Sequence, residues 1–482
     1  MGRIISPISY YVNRKTGINF YFLHCYLTNV IIPNISYMKP IKKHFCGGFM
    51  KNKKTSLYLL LLLVPVILLS GMCGYLLLEK NTVDSAVVAV ADTPTPAPTP
   101  VATPTPEPTP TPFPEHDITL MAVGDNLMHL GIVASGKQDD GSYDFSMLFD
   151  GIKPFLRTAD VKIINQETIM GGNSRGFSGF PYFNSPTEVG DAIADAGFNV
   201  VLQASNHTAD QQLEGLLYCA QFWKEQHPDM LVTGIHEDSS KADEIPLLTI
   251  DDVTFAILNY TYGANTETLP LDLLGHLNLL CAVNEKNGQM DFTTLNPQVL
   301  EDISRAEKLA DIVIVCPHWG TEYSSKISSY QEKWALAMAE AGADVIIGTH
   351  PHVVEPVEWI TAENGNRTLC YYSLGNYVST QKNTLSMLEA MAWITFHVTE
   401  DGVSIVEDTS GVLPLVCQYT SGPVRFDKVY LLEDYTEELA ASHGIRNYAC
   451  IVLHLEDLQK WSSEILGDFV LTKDQVLHNS NE

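Results

Sequence analysis

Five short apolar runs in this chain end in residues that bind metals well. Each run is rich in β-branched residues, which is typical of a buried strand. Ligands of α/β folds gather beyond the carboxyl ends of such strands, so the five polar ends are expected at one rim. Carboxylate, amide and imidazole donors meeting there predict a cation site. The runs are LMAVGD (120–125), VKIINQE (161–167), NVVLQASNH (199–207), DIVIVCPH (311–318) and DVIIGTHPH (344–352).

Helical patterns alternate with these strands, which predicts an α/β architecture with helices covering a largely parallel sheet. The last strand patterns, up to about residue 417, have no helices between them and indicate an antiparallel portion or a second sheet. Beyond residue 427 the pattern is acidic and helical, and no chemistry is visible there. The predicted helices are 185–196, 212–226, 300–310 and 330–341.

The segment 57–78 carries no charge and is long enough to cross a bilayer. Three lysines precede it, and Glu79 and Asp84 follow it, so the N-terminus is expected in the cytoplasm and the rest outside. A cleaved signal peptide is the main alternative, but the apolar stretch is long and no clear cleavage site follows. A lipoprotein would need a small residue before Cys73, where Met72 stands. We therefore predict an uncleaved single-pass anchor.

Two further segments complete the predicted organisation. Residues 1–49 fit the anchor poorly, and Met50 is the expected initiator. Residues 93–114 are a Thr-Pro repeat, which favours polyproline II. At roughly 3.1 Å per residue this stalk is on the order of 70 Å long, and a spacer through the cell wall is favoured over a motif for a proline-recognising module. The domains are a cytoplasmic segment (1–56), the anchor (57–78), an extracellular linker (79–114), the main domain (117–380), its closing strands (381–425) and an acidic helical tail (426–482).

The charge of the folded part excludes some partners. The formal net charge of the chain is −28, and the residues after Pro114 hold 19 Lys and Arg against 53 Asp and Glu, a net of −34. Such a body does not hold nucleic acid or an anionic membrane by general electrostatics. An anionic substrate needs local capture, for which a bound metal is suited. Among the 9 cysteines there is no CxxC pair, and Cys219, Cys316 and Cys370 are predicted to be core residues.

The first three strand ends supply carboxylate, amide and imidazole groups. Asp125 follows a glycine that lets the backbone turn tightly, and it suits a metal-bridging role, with a helix cap as the alternative. Asn165 and Glu167 are two residues apart and share one face. Asn206 and His207 are adjacent after the third strand, where the alternative is a simple turn.

The last two strand ends supply histidines. His318 follows a buried strand, and Glu322 is expected to bind metal or orient an imidazole. His350 and His352 are the sharpest signal, because the proline between them is expected to hold both rings on one side of an extended segment. Asn376 ends another strand and is expected to line the pocket. Mixed nitrogen and oxygen donors favour one or two ions of Mn, Fe or Zn.

Six blocks, in order, resemble the CapA (capsule synthesis, PGA_cap) family, a branch of the calcineurin-like metallophosphatases. The resemblance implies a metallophosphatase-like sandwich of two sheets flanked by helices. It also implies an extracytoplasmic role in making or anchoring an anionic capsule polymer such as poly-γ-glutamate, beside membrane-bound synthase subunits. The blocks are VGDNLMH (123–129), INQET (164–168), SNHTAD (205–210), HWGTEY (318–323), GTHPHVVEPVE (348–358) and YSLGNYV (372–378).

The resemblance assigns family motif positions to six residues: Asp125, Asn206, His207, His318, His350 and His352. Two departures from the catalytic superfamily stand out. Leu127 occupies the position of the usual histidine in Asp-x-His, and Asn165-Gln166-Glu167 replaces the usual Gly-Asp-x-x-Asp. One metal position is therefore short of a ligand. Both departures belong to the CapA pattern, so they favour this family over an ordinary phosphatase.

Whether the protein is an enzyme stays open at this point. The leading hypothesis is a membrane-anchored surface protein of capsule assembly that performs metal-assisted hydrolysis or transfer. In it, Asp125 bridges the ions and His207 is the general acid or stabilises the scissile group. One alternative is a non-catalytic scaffold that holds the polymer or the synthase, and another is a general extracellular metallophosphoesterase.

Overall fold

The computed structural model describes residues 114–448 and 451–477, in which strands and helices alternate as predicted. The strands of this part are β1 His116–Asn126, β2 Val161–Asn165, β3 Val200–Leu202, β4 Leu231–Thr233, β5 Leu247–Ile250, β6 Val253–Thr261, β7 Cys281–Val283, β8 Met290–Leu295, β9 Ile312–His318, β10 Val345–Ile347, β11 Val357–Thr361, β12 Arg367–Tyr371, β13 Asn376–Val378, β14 Glu389–Thr399, β15 Gly402–Ile405, β16 Gly411–Thr420 and β17 Arg425–Leu431. Its α-helices are α1 Leu130–Gly136, α2 Lys153–Thr158, α3 Glu188–Ala196, α4 Gln212–Gln226, α5 Pro297–Ala306, α6 Ser329–Ala341, α7 Glu437–Ser442, α8 Leu455–Leu466 and α9 Lys473–Leu477.

The first sheet has the order β17-β16-β14-β1-β2-β3-β4. Strands β1 to β4 are parallel, whereas β14, β16 and β17 are antiparallel, as the closing strand patterns predicted. At the end of β1 the partner changes. Residues 116–123 pair with β14, and Asp125 pairs in parallel with Asn376 of β13.

The second sheet has the order β11-β12-β10-β9-β6-β5. Its central strands β6, β9, β10 and β12 are parallel, and β5 and β11 join antiparallel at the edges. Strands β7 and β8 form a separate antiparallel pair. The prediction of two sheets with flanking helices is confirmed.

Three apolar cores follow from the alternation of side chains along the strands. One core lies between the sheets, where Phe396 of β14 meets Phe255 of β6 at a ring-centroid distance of 5.4 Å. The second lies under α1 to α4 on the outer face of the first sheet, and the third under α5 and α6. Cys219, Cys316 and Cys370 are buried free thiols in these cores, as predicted.

The C-terminal segment differs in part from its prediction. Residues 428–431, which follow the predicted start of the helical pattern, belong to strand β17, because β17 completes the edge of the first sheet and buries Val429 and Leu431. Helices α7 to α9 follow. Leu458 and Leu466 of α8 belong to the core between the sheets, so the apolar side of this acidic segment contributes to the main fold.

The predicted N-terminal segment 1–56 and anchor 57–78 lie outside the described residues, as does the linker 79–114 except for Pro114. Within 114–448 and 451–477, none of the helices combines the length and the apolar character needed to cross a bilayer.

Candidate metal centre

Two glycines bring the strand ends close to neighbouring backbone at this rim. A Cβ atom on Gly124 would lie 1.9 Å from the carbonyl oxygen of Gly375, and one on Gly348 would lie 2.0 Å from that of Tyr372. Gly124 is therefore required because two backbone segments of the chain approach closely there, and not for the tight turn that we predicted. This packing fixes the position of Asp125, whose N–H donates to the Gly375 carbonyl at 3.0 Å.

Asp125 is fully buried at the end of β1 and is held by three groups. Nδ2 of Asn165 donates to its Oδ1 at 2.8 Å, and the backbone N–H of His350 donates to its Oδ2 at 3.2 Å. Nδ1 of His352 lies 3.0 Å from the same Oδ2. The helix-cap alternative is wrong, because α1 starts after His129 and has no side-chain cap.

Glu167 is buried beside Asp125, and its two carboxyl oxygens have no hydrogen-bond partner among the described residues. They lie 3.9 Å from Nε2 of His318 and 3.8 Å from Nδ1 of His352. Burial, and then the nearby charge of Asp125, raises the pKa of Glu167 well above its ordinary value. A buried carboxyl group without partners is costly, and a cation would remove that cost.

His318 is fully buried, and both of its ring nitrogens have partners. Nδ1 lies 2.9 Å from Oγ1 of Thr349, and Nε2 lies 2.9 Å from Oδ1 of Asn206. Burial, followed by the neighbouring His350, lowers the pKa of His318, so the ring is neutral. One donor and one acceptor satisfy a neutral imidazole. The predicted ligands Asn206 and His318 are thus hydrogen-bonded to each other, so Nε2 of His318 can bind an ion only after this hydrogen bond opens.

His350 and His352 come together through a bend. We predicted an extended segment, but both residues have positive φ, 98° for His350 and 59° for His352. Their rings lie 5.8 Å apart, and Nδ1 of His350 is buried without a hydrogen-bond partner in the part of the chain that is described. Non-glycine residues with such dihedral angles are strained, and strain of this kind persists only where surrounding contacts hold it. Here Asp125 supplies those contacts.

Two groups of side chains could each hold an ion. Asp125, Glu167 and His352 form one, and Glu322, His350 and His352 form the other, with ligand atoms within 4.8 Å of one another in each. His352 belongs to both groups, so the arrangement accommodates one ion or two adjacent ions. The residues fit a divalent transition ion, because imidazole and carboxylate donors meet and because Glu167 and His350 present atoms that have no partner within 114–448 and 451–477.

His207 stands beside these groups and belongs to neither. Its Nδ1 lies 2.7 Å from Oδ2 of Asp210, which also accepts the backbone N–H of Phe183 at 2.7 Å. The Phe183 ring packs edge-on against His207 at 4.7 Å. A carboxylate at Nδ1 fixes the tautomer and leaves Nε2 as the available nitrogen.

The two predicted pocket residues lie at the rim of the same site. Glu322 is exposed and close to His350 and His352. Asn376 is fully buried, and its Nδ2 lies 3.3 Å from the carbonyl oxygen of His352, so it contacts the bend itself. The structure therefore brings all of the predicted site residues to one edge of the two sheets.

Three nearby residues were not predicted. Tyr262 lies 4.6 Å from the ring of His350, and Asn265 accepts a hydrogen bond from Nδ2 of Asn206 at 3.1 Å. Both follow β6, whose run TFAILNY also ends at this edge. The expectation that site residues follow the ends of buried strands would therefore have found them. His129, the last residue of the block VGDNLMH, is half-buried, and burial followed by the charge of His352 lowers its pKa to about 4.

The sequence that carries this site is similar to known bacterial proteins. Residues 119–381 match the model of a family described as "Bacterial capsule synthesis protein PGA_cap". The chain is 28% identical over 286 residues to "PGA biosynthesis protein CapA" of Bacillus subtilis (strain 168), which covers 58% of this chain and 68% of that protein. It is also 28% identical over 310 residues to "Capsule biosynthesis protein CapA" of Bacillus anthracis, with coverages of 62% and 68%.

Solved structures show weaker similarity. A hypothetical protein from Thermus thermophilus has 13% identity and a TM-score of 0.32, covering 62% of this chain and 99% of that one. The 5'-nucleotidase from Candida albicans has 11% identity and a TM-score of 0.33, covering 63% of this chain and 53% of that one. Both TM-scores are too low to carry an argument.

Proposed function

Because the chain belongs to the bacterial capsule synthesis protein PGA_cap family, we propose that it is a membrane-anchored surface protein whose metal centre acts on a capsule polymer. The polymer would be poly-γ-glutamate or a related anionic chain, and the reaction hydrolysis or transfer. The observation that carries this proposal is that Asp125, Glu167, His350 and His352 meet, and that atoms of Glu167 and His350 find no hydrogen-bond partner in the described part of the chain. The metallophosphatase-like character of the family agrees with such a centre.

Asp125, Glu167, His350 and His352 would hold one or two ions of Mn, Fe or Zn, with His318, Asn165 and Asn206 beside them. When bound, such an ion supplies a Lewis acid for the scissile group and a positive charge that attracts an anionic polymer. The charge matters because, in the part of the chain that is described, no Lys or Arg bonds to these side chains.

The side chains of the protein have separate tasks in this proposal. Asn165 and the backbone of His350 orient the Asp125 carboxylate. His207, held at Nδ1 by Asp210, is available to give or take a proton at Nε2. Burial of the whole group excludes bulk water, which strengthens each electrostatic contact.

The proposals of a membrane anchor and of partner proteins are supported by the sequence. The charge-free segment 57–78, preceded by lysines, supports a single-pass anchor with a cytoplasmic N-terminus and an extracellular body. The names of the two Bacillus relatives refer to the biosynthesis of PGA and of capsule, which is consistent with partners among the synthase subunits, and the predicted anchor would place these partners in the membrane. The acidic body disfavours nucleic acid.

A non-catalytic scaffold is the second candidate, and one observation favours it. Leu127 stands where the catalytic superfamily has a histidine, and its side chain is buried and apolar. That position contributes no ligand. In this version the metal would hold the polymer without cleaving it.

The first test measures metal content and hydrolysis of an aryl phosphodiester by the full-length protein with added Mn²⁺. We expect a transition metal to copurify and Asp125→Ala to lose both metal and hydrolysis. His397→Ala is the control, because it removes a partly exposed histidine on β14 outside the site. The metal centre is wrong if no transition metal is found and neither Mn²⁺ nor Zn²⁺ raises the melting temperature.

A second set of variants separates the roles. His350→Ala should lose more metal than His318→Ala, since Nδ1 of His350 has no partner in the described residues whereas both nitrogens of His318 do. His207→Ala should keep metal and lose hydrolysis. Loss of metal from His207→Ala as complete as from His350→Ala contradicts the assigned roles. Normal capsule formation with all three variants would mean that the metal site is vestigial, and would leave only a scaffold that works without the metal.

A further inference from the structure

A hairpin beside His207 presents large apolar side chains to solvent. Ser178 and Asn184 pair through both backbone hydrogen bonds, at 3.2 and 3.1 Å, and Oγ of Ser178 donates to the Tyr182 carbonyl at 2.6 Å. At the tip, the side chains of Phe180 and Tyr182 are 77% and 67% exposed. We call residues 178–184 the aromatic hairpin.

The aromatic hairpin is held firmly at its base. Asn184 is buried, and its side chain accepts from Gly171 N–H at 2.8 Å and donates to the carbonyls of Gly172 at 3.0 Å and Gly176 at 2.7 Å. Nε2 of Gln211 donates to the Phe183 carbonyl at 2.9 Å. The exposed rings at the tip therefore stand on an ordered support, which lowers the entropy lost when a ligand covers them.

The hairpin is continuous with the candidate metal centre. Phe183, next to Tyr182, packs against His207 at 4.7 Å and against His129 at 5.4 Å. Leu130 follows His129, is 54% exposed and lies against Gly179 of the hairpin. Three exposed apolar side chains, Leu130, Phe180 and Tyr182, thus adjoin the group proposed to move a proton.

Partly exposed aromatic side chains also lie near His352 and Tyr262 of the site. Tyr323 is 43% exposed and lies 5.9 Å from the ring of His352, and Phe292, 38% exposed, lies 6.2 Å from Tyr262. A ligand that reaches the metal centre therefore meets apolar ring faces around it. Exposed apolar patches of this kind mark binding surfaces.

Charge decides which ligand class fits the hairpin. The residues after Pro114 carry a net charge of −34, and the cation of the adjacent turn, Arg175, is paired with Glu214 at 2.9 Å. A run of polyglutamate carries one negative charge per residue and no ring, so the hairpin, which has no charged residue in 178–184, offers it neither a counter-charge nor a stacking partner. Three side chains at a loop tip are also too few for a stable protein interface, which needs about 800 Å² per partner.

We infer that the aromatic hairpin binds the ring of an uncharged saccharide, as found in a cell-wall glycan, next to the metal centre. A saccharide ring offers an apolar face of C–H groups to Phe180 and Tyr182 and hydroxyl groups to polar side chains at the rim. The inference rests on the proposed function in one respect, that the site acts at the cell surface. It adds a neutral second ligand beside the anionic polymer.

The test titrates the full-length protein with an oligosaccharide of β-1,4-linked N-acetylglucosamine and measures the heat of binding. We expect the double variant Phe180→Ala/Tyr182→Ala to weaken binding at least about tenfold, as for loss of two covered aromatic contacts. Metal content and melting temperature should not change, since both rings are exposed. Tyr330→Ala, which removes a 44% exposed ring on α6, is the matched control and should bind normally.

Three outcomes overturn the inference. The unaltered protein does not bind the saccharide, the double variant binds it equally well, or the double variant loses only the binding of an oligomer of γ-linked glutamate or of a mononucleotide. The proposed function is tested separately with Asp125→Ala. If that variant and the unaltered protein are both inactive and metal-free, but the hairpin still binds saccharide, the proposed function fails and the hairpin inference stands.

Discussion

Between the sheets, strands β1, β9 and β10 bury apolar side chains such as Leu120, Ile314 and Val345, which pack against one another. At their carboxyl ends the same strands lead into Asp125, His318 and the His350–His352 bend, where polar groups are equally buried. In the interior, contacts between apolar side chains are sufficient, because these side chains need no hydrogen-bond partners. At the rim, several polar atoms lack partners within the described residues, as at Glu167. Apolar packing thus stabilises the interior without a ligand, whereas the rim keeps buried polar atoms that the proposed metal would bind.

The largest expected effect tests the interior. Phe396→Ala removes a ring that meets Phe255 across the two sheets and should lower the free energy of unfolding by about 3 to 5 kcal/mol. Leu309→Ala, at a 55% exposed position, is the control and should change little. Urea denaturation of the full-length protein measures both. Equal effects of the two substitutions would contradict the assignment of Phe396 to the core.

The next effect concerns a buried carboxyl group just beyond the histidine bend. Glu355 bonds to Nε2 of Gln331, and burial raises its pKa to about 8. The unfolded chain releases this proton at lower pH, so stability should fall as the pH rises from the ordinary glutamate pKa to about 8, and then level off. Glu355→Gln should remove this fall and stabilise the protein at about pH 8 by a few kcal/mol, on the order expected from linkage.

Urea denaturation at several pH values measures the Glu355 effect, with Glu363→Gln, an exposed position, as the control. An identical pH profile for Glu355→Gln and the unaltered protein would show that this carboxyl group does not link protonation to folding.

A smaller effect on stability is expected at a rim residue whose polar atoms have hydrogen-bond partners. Thr349→Val keeps the shape of the side chain but removes the hydroxyl that contacts Nδ1 of His318 at 2.9 Å. The ring nitrogen is then buried without its partner, which should lower stability by about 1 kcal/mol. Thermal unfolding without added metal measures this difference. An unchanged melting temperature would mean that His318 is held by Asn206 alone.

The smallest effect on the metal-free protein is expected for Glu167→Gln. Burial and the charge of Asp125 raise the pKa of Glu167, so the folded state favours the protonated carboxyl group, and glutamine imitates that form. The melting temperature without metal should therefore barely change, while the rise produced by Mn²⁺ should disappear. A variant that keeps the Mn²⁺ effect would falsify the place of Glu167 among the ligands.

Much of the rim followed from local patterns. Asp125, Glu167, Asn206 and His318 each end an apolar run, and parallel strands in adjacent positions bring such ends together. The hydrogen bond between Asn206 and His318 could not be predicted, because these residues are 112 positions apart and meet only through the order of the strands. Tyr262 was missed because the same rule was not applied to the strand that precedes it.

The sequence by itself determined where the strands that lead to the site lie and which groups stand at their ends, since side-chain alternation and β-branched runs are local properties. Tertiary structure decided the chemistry of those groups. The bend at His350 and His352 needs positive φ at both residues, a conformation that local preference opposes and that contacts with Asp125 hold in place. The unpartnered oxygens of Glu167 likewise result from burial, which depends on the packing of both sheets and not on any short segment.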